Sequence, residues 1–121
     1  MSGVVLIDDD TAVLASLEAL FTSSDYPVQA FASATDFLKA LPGLSPACII
    51  TDLKMPGMDG LALLNHLRTD AGPPCPVVVI SGHGDATQAQ AARIAGAAAF
   101  LLKPFSPQQL LSVVKELLKE P

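Results

Sequence analysis

Four groups of polar residues in this chain each follow an apolar run. Asp8, Asp9 and Asp10 follow Val4 to Ile7, and Asp52 follows Ala47 to Thr51. Ser81-Gly82-His83-Gly84-Asp85 follows Val77 to Ile80, and Lys103-Pro104 follows Ala99 to Leu102. If the apolar runs are neighbouring parallel strands, several carboxylates converge on one sheet edge. Like charges that close repel and raise one another's pKa unless a cation compensates. A carboxylate can attack phosphorus and form a mixed anhydride. The obstacle is charge, because attacker and phosphoryl group are both anionic. A hard divalent cation bound sparingly, by one or two carboxylates and the phosphoryl oxygens, removes that obstacle, and Mg²⁺ is bound in this way. Asp8 and Asp9 suit the metal role. Lys103 can reach a second phosphoryl oxygen as a point charge, and Ser81 can donate a hydrogen bond to a third.

The elements that must hold these residues follow from two alternating periodicities. Strand-like runs lie at Val4 to Ile7, Val28 to Phe31, Ala47 to Thr51, Val77 to Ile80 and Ala99 to Leu102. Helical stripes lie between them: Val13, Leu14, Leu17, Leu20 and Phe21; then Phe37, Leu38 and Leu41; then Leu61, Leu63, Leu64 and Leu67. The last and best stripe is Leu110, Leu111, Val114, Leu117 and Leu118, whereas the helix at about Ala86 to Ala95 is nearly all Ala and Gln and has little to bury. Asp10 or Thr11, Ser33, Asp59 and Ser106 stand where helix N-caps belong, and Gly96 where a C-cap belongs. Pro42, Gly43, Pro46 and Gly72-Pro73-Pro74 break helices before strands three and four. Strand and helix thus alternate five times, which implies parallel strands, right-handed crossovers and helices on both faces. The predicted fold class is α/β with a single doubly wound sheet. Such sheets bind ligands beyond the carboxyl ends of their strands, and all four polar groups fall there.

Composition bounds the alternatives. A chain of 121 residues that is 50% apolar and 16% charged is one domain with a real core. No internal repeat, low-complexity tract or linker divides it. No apolar run approaches the roughly 18 residues of a membrane span, and no secretion signal opens the chain, so a cytoplasmic location is expected. Twelve acidic against seven basic residues, a net charge of −5, argue against a nucleic-acid-binding surface. Cys48 and Cys75 lack a CxxC spacing and a nearby His, and read as buried or half-buried thiols. His66 reads as a solvated helix residue, and Phe31 and Phe105 as core.

Taken in order, the acidic pair, the loop Asp52-Leu53-Lys54-Met55-Pro56-Gly57-Met58-Asp59-Gly60, the Ser81-Gly82 turn and Lys103-Pro104-Phe105 resemble the receiver domain of a two-component response regulator. The resemblance covers essentially the whole chain and implies one receiver domain over residues 1–121, without an output domain. It implies a flavodoxin- or CheY-like sheet of strand order 2-1-3-4-5 with five helices. It also implies Asp52 as the acceptor of phosphate from a partner histidine kinase, without turnover as an enzyme. Mg²⁺, with Mn²⁺ as a substitute, would be held by Asp9, Asp52 and the backbone carbonyl of Lys54, with Asp8 acting mainly through water. Ser81 matches the switch hydroxyl, where many members have Thr, and Phe100 the switch aromatic, so phosphorylation is expected to change the face made by helix four, strand five and helix five. A cis Lys103-Pro104 bond is implied as well. Lys54 and His83, each two residues past a site residue, are expected to control water access and so phosphoaspartate lifetime.

Other readings fit less well. A haloacid-dehalogenase-type phosphatase needs a second aspartate two residues after the nucleophile, where this chain has Lys54. A flavodoxin-like cofactor binder wants a Gly- or Ser/Thr-rich phosphate loop after strand one, where this chain has three acids. A pseudo-receiver would have lost part of the acid, hydroxyl and lysine set, and all are present. The Ser81 to Asp85 turn resembles receivers of FixJ-type and NtrC-type transcription regulators. An excised N-terminal domain of such a regulator, controlling transcription through an output domain, is expected, with a stand-alone receiver and a hybrid-kinase receiver as the alternatives. Phosphorylation-dependent homodimerisation through helix four and strand five is expected, because the Ala-rich helix has few apolar anchors.

Overall fold

A computed structural model describes residues 3–69, 75–82 and 86–118, excepting the side chains of residues 69 and 86. His83, Gly84 and Asp85 of the Ser81 turn, and the Gly72-Pro73-Pro74 break, lie outside the described residues. The elements are β1 (Gly3–Ile7), α1 (Thr11–Ser23), β2 (Val28–Phe31), α2 (Ala34–Ala40), a 3₁₀ turn (Leu41–Gly43), β3 (Pro46–Asp52), α3 (Gly60–Thr69), β4 (Val77–Ser81), α4 (Ala86–Ala95), β5 (Ala99–Leu102) and α5 (Pro107–Leu117). The five strands are parallel in the order β2-β1-β3-β4-β5, so β1 lies between the strand that follows it and the strand that carries Asp52.

Alternation along the buried strands divides the core into two layers. Val5, Ile7, Ile49, Val77 and Val79 face Phe37, Leu63, Leu64 and Ala92, which puts α2, α3 and α4 on one side of the sheet. Val4, Leu6, Cys48, Ile50, Val78 and Ile80 face Leu14, Leu17, Phe21, Leu110 and Val114, which puts α1 and α5 on the other. Phe31 packs against the first layer and Phe105 against the second, both half-buried.

The expected caps are in place. The Asp10 carboxylate accepts from Ala12 N and Val13 N, Ser33 Oγ from Asp36 N, Asp59 Oδ1 from Ala62 N, and Ser106 Oγ from Gln109 N. Several boundaries shift by one residue from the sequence reading, and β1 opens at Gly3 and β3 at Pro46. β3 and β4 extend one residue further, so Asp52 and Ser81 are the last residues of their strands, paired with Ile80 and Leu102 respectively. Leu41 belongs to the 3₁₀ turn rather than to α2, because Pro42 follows it and cannot donate the next helical bond.

Among the described side chains of α4, only Ala92 and Ala95 belong to the buried core, while Ile94 stands 72% exposed. The end of α4 is held from α3, where Arg68 Nη1 donates to the Ile94 carbonyl at 3.2 Å. A cation there also offsets the negative end of the helix dipole. Gly96, just past α4, has φ +110°. Gly96→Ala is therefore expected to cost about 1–2 kcal/mol in urea denaturation.

Cys48 is fully buried and Cys75 half-buried, as expected. Burial pushes the Cys48 thiol up to about 12. In the native protein Cys48 should therefore resist alkylation by iodoacetamide at neutral pH and react once urea unfolds the chain, which mass spectrometry of the labelled peptides would show.

Candidate functional site

Three strand ends build the site. β1 delivers Asp8 as the first residue beyond Ile7; its N–H donates to Phe31 of β2 at 3.2 Å, which anchors the loop to the sheet. Asp8 is 1% exposed, and its Oδ1 accepts from Asp10 N at 2.9 Å. Asp10 thus caps α1 with its side chain and fixes Asp8 with its backbone, which leaves Asp8 and Asp9 to face the pocket. β3 delivers Asp52, 8% exposed, with Oδ1 accepting from Leu53 N at 3.0 Å. β5 delivers Lys103, whose N–H donates to the Ser81 carbonyl at 2.7 Å, tying its loop to the end of β4. The Lys103-Pro104 peptide is cis, as the resemblance implied.

The ammonium of Lys103 lies 3.6 Å from Asp8 Oδ2 and 3.7 Å from Asp52 Oδ1. One oxygen from each of Asp8, Asp9 and Asp52 falls within 4.8 Å of the others. Three carboxylates against one ammonium leave two negative charges uncompensated, the charge of a divalent cation. Burial raises the pKa of Asp8, although the Asp10 N–H and the Lys103 charge act against it. Burial also raises Asp52, the Asp8 charge raises it further, and Lys103 pulls it back. Asp8 Oδ2 is buried without a hydrogen-bond partner among the described residues, although the Lys103 charge is near. An acidic, oxygen-only donor set with an orphaned buried oxygen fits Mg²⁺, which takes hard oxygen ligands. It does not fit a soft metal that wants sulfur or imidazole.

The remaining candidate residues are placed as follows. Ser81 is 1% exposed at the end of β4. By strand alternation it shares the face of Val77 and Val79, and Phe100 packs half-buried against that same core layer, beneath α4. The Lys54 side chain is exposed in the loop after β3. The sequence reading missed two contacts at Asp52. Thr51 Oγ1 donates to the Asp52 carbonyl at 3.0 Å, and Gly60 lies against that same carbonyl. The available signal was Gly60 itself, directly after the Asp59 cap, since Gly is the residue that admits a close backbone approach.

A doubly wound sheet of this strand order with an acidic pocket at its carboxyl edge defines the CheY-like class. The chain belongs to the response regulator receiver domain family, which matches residues 4–115. It is 38% identical over 117 residues to the transcriptional regulatory protein FixJ of Bradyrhizobium diazoefficiens, covering 97% of this chain and 57% of that protein. It is 41% identical over 118 residues to the response regulator protein TmoT of Ectopseudomonas mendocina, covering 98% of this chain and 53% of that one. The chain therefore spans about half the length of these relatives. Among solved structures, FixJ-N superposes with a TM-score of 0.87 at 34% identity, covering 100% of this chain and 97% of that one. The CheY-like receiver domain protein of Methanospirillum hungatei JF-1 superposes with a TM-score of 0.88 at 28% identity, covering 98% and 94%. Membership implies a histidine kinase as partner, and receivers are generally not turnover enzymes. No helix among the described residues is long and apolar enough to cross a membrane.

Proposed function

We propose that Asp52 accepts a phosphoryl group from a partner histidine kinase and that the resulting aspartyl phosphate switches the α4-β5-α5 face. The observation that carries this reading is the meeting of Asp8, Asp52 and Lys103 from three separate strands, with the ammonium 3.6 and 3.7 Å from the two carboxylates. A carboxylate oxygen of Asp52 forms the new bond to phosphorus as the P–N bond to the donor imidazole breaks, and the imidazole leaves with that electron pair. Lys103 holds one phosphoryl oxygen as its charge develops, and the Ser81 hydroxyl donates to another. Asp9, Asp52 and the Lys54 carbonyl would hold Mg²⁺ directly, with Asp8 acting mainly through water. The ion, when bound, neutralises charge between attacker and phosphoryl group. Incubation with Mg²⁺ and acetyl phosphate is expected to give an acid-stable, base-labile phosphate, and Asp52→Ala none. A variant that still gains the same phosphate removes Asp52 as acceptor.

The switch runs through Ser81 and Phe100. The hydroxyl is drawn towards the phosphoryl group, and Phe100, on the same sheet face, takes the space released beneath α4. The large exposed apolar side chains among the described residues are Ile94 of α4 and Leu102 of β5. They belong to α4 and β5, the two elements through which the phosphorylated protein is proposed to form a homodimer. Ile94→Glu should leave phosphorylation intact and keep the phosphorylated protein monomeric in sedimentation; an unchanged dimer would place the interface elsewhere. Lys54 and His83 are proposed to govern water access, so their joint replacement by alanine should alter the decay of the phosphate several-fold, followed by radiolabel loss. Residues 1–121 are read as one receiver domain, acting in the cytoplasm and regulating transcription through an output domain.

A further inference from the structure

The loop that joins β3 to α3 closes on itself at Gly60. The Gly60 N–H donates to the Leu53 carbonyl at 2.8 Å. A Cβ at Gly60 would lie 2.5 Å from the Asp52 carbonyl oxygen and 3.0 Å from Leu53 Cα. Neither atom can swing aside as the tip of a side chain can, because both are backbone atoms, one in the last residue of β3 and one in the residue after it. Gly60 is not among the glycines with positive φ, so the requirement is for space and not for an unusual backbone conformation.

The peptide under Gly60 is also the one that aims the Asp52 carboxylate. Its carbonyl accepts the Thr51 hydroxyl at 3.0 Å. Its N–H, on Leu53, donates both to the Ile80 carbonyl at 2.9 Å and to Asp52 Oδ1 at 3.0 Å. A peptide unit is planar and stiff, so pressure on its oxygen is passed to its N–H. We infer that Gly60 is a positioning residue for the acidic pocket. By admitting the start of α3 onto the 52–53 peptide, it sets where the Asp52 carboxylate stands relative to Asp8, Asp9 and Lys103. It touches neither the phosphoryl group nor the cation and acts through Asp52. The phosphorylation arm of the test rests on the function proposed above; the cation arm does not.

The test compares Gly60→Ala with Asp59→Ala, which removes the N-cap of the same helix but leaves the 52–53 peptide uncrowded. Mg²⁺ affinity is measured by calorimetry without a phosphodonor, and phosphorylation by acetyl phosphate is timed separately, both where circular dichroism shows folded protein. Gly60→Ala is expected to weaken Mg²⁺ binding about tenfold and to slow phosphorylation by about ten- to a hundredfold. Asp59→Ala should stay within about twofold of the wild type in both, since a cap acts on helix stability. Wild-type Mg²⁺ affinity in Gly60→Ala, or an equal loss in Asp59→Ala, overturns the inference. If Gly60→Ala does not fold, amide exchange in the wild type decides. Leu53 and Gly60 N–H groups protected like those of β3 support the clasp, and exchange at unprotected rates refutes it. A wild-type protein that takes no phosphate defeats the proposed function instead, while its Mg²⁺ affinity relative to Gly60→Ala still judges Gly60.

Discussion

Asp52→Asn is expected to take up no phosphate and, without Mg²⁺, to be more stable than the wild-type protein. The amide cannot act as the nucleophile, so the loss of labelling should be complete. The gain in stability follows from the electrostatics of the metal-free pocket. Burial raises both Asp8 and Asp52, and the Asp8 charge raises Asp52 further, so the folded state disfavours the ionised pair. Between the ordinary carboxylate range and those raised values, the folded protein binds more protons than the unfolded one. These two groups therefore reduce stability as pH rises through that window, and stability recovers as pH falls back through it. Asn at position 52 removes one of the charges. A gain of about 1 kcal/mol, or roughly 4 °C in Tm, is expected near neutral pH, as is common when a functional site is relieved of strain. Mg²⁺ should invert the pattern. It stabilises only the form with ionised ligands, so its affinity should weaken as pH falls and its protection should be much smaller in Asp52→Asn. Thermal melts with EDTA and with Mg²⁺ across that pH range check both signs. A metal-free variant less stable than the wild type would show that the attraction of Lys103 for the Asp52 carboxylate outweighs burial and the repulsion from Asp8.

Lys103→Ala should slow phosphorylation of Asp52 by about two to three orders of magnitude while leaving the fold intact. The side chain is 29% exposed and its ammonium sits between two buried carboxylates, so its removal opens no core cavity. It does delete the cation that lowers both Asp8 and Asp52, and both should titrate higher still. Two roles make opposite predictions for the metal. If Lys103 acts on the phosphoryl group, its loss removes a competing positive charge and Mg²⁺ should bind at least as tightly as before. If Lys103 instead maintains the shape of the pocket, Mg²⁺ affinity and phosphorylation should fall together. Calorimetric Mg²⁺ titration beside acetyl phosphate kinetics separates the two, and the first outcome is expected.

Much of the architecture was legible because its determinants are local. Val4 to Ile7 and Val77 to Ile80 are short apolar runs, and Leu110, Leu111, Val114, Leu117 and Leu118 repeat at helical spacing; the structure has β1, β4 and α5 there. Asp10, Ser33, Asp59 and Ser106 were readable as caps because a cap bonds an N–H two or three residues away. Strand ends were less legible. Asp52 and Ser81 are polar and looked like loop residues, yet pairing with Ile80 and Leu102 keeps them in the sheet.

The site divides in the same way. By itself the sequence determined that acid, hydroxyl and ammonium follow four different strands, so that one edge of a parallel sheet must carry them all. It set Asp8 and Asp9 to the metal and left the cap to Asp10 or Thr11, but it could not say which acid of the pair turns inward. Tertiary structure decided that. With β1 beside β3, Asp8 turns inward towards Asp52 and Lys103, whereas Asp10 is consumed in capping α1. The fit of Gly60 against the Asp52 carbonyl was likewise decided only in three dimensions. Periodicity and capping depend on neighbours a few residues apart and leave a trace in the order of residue types. Strand adjacency and an approach of 2.5 Å depend on how distant faces pack, and that distance is written in no short stretch of sequence.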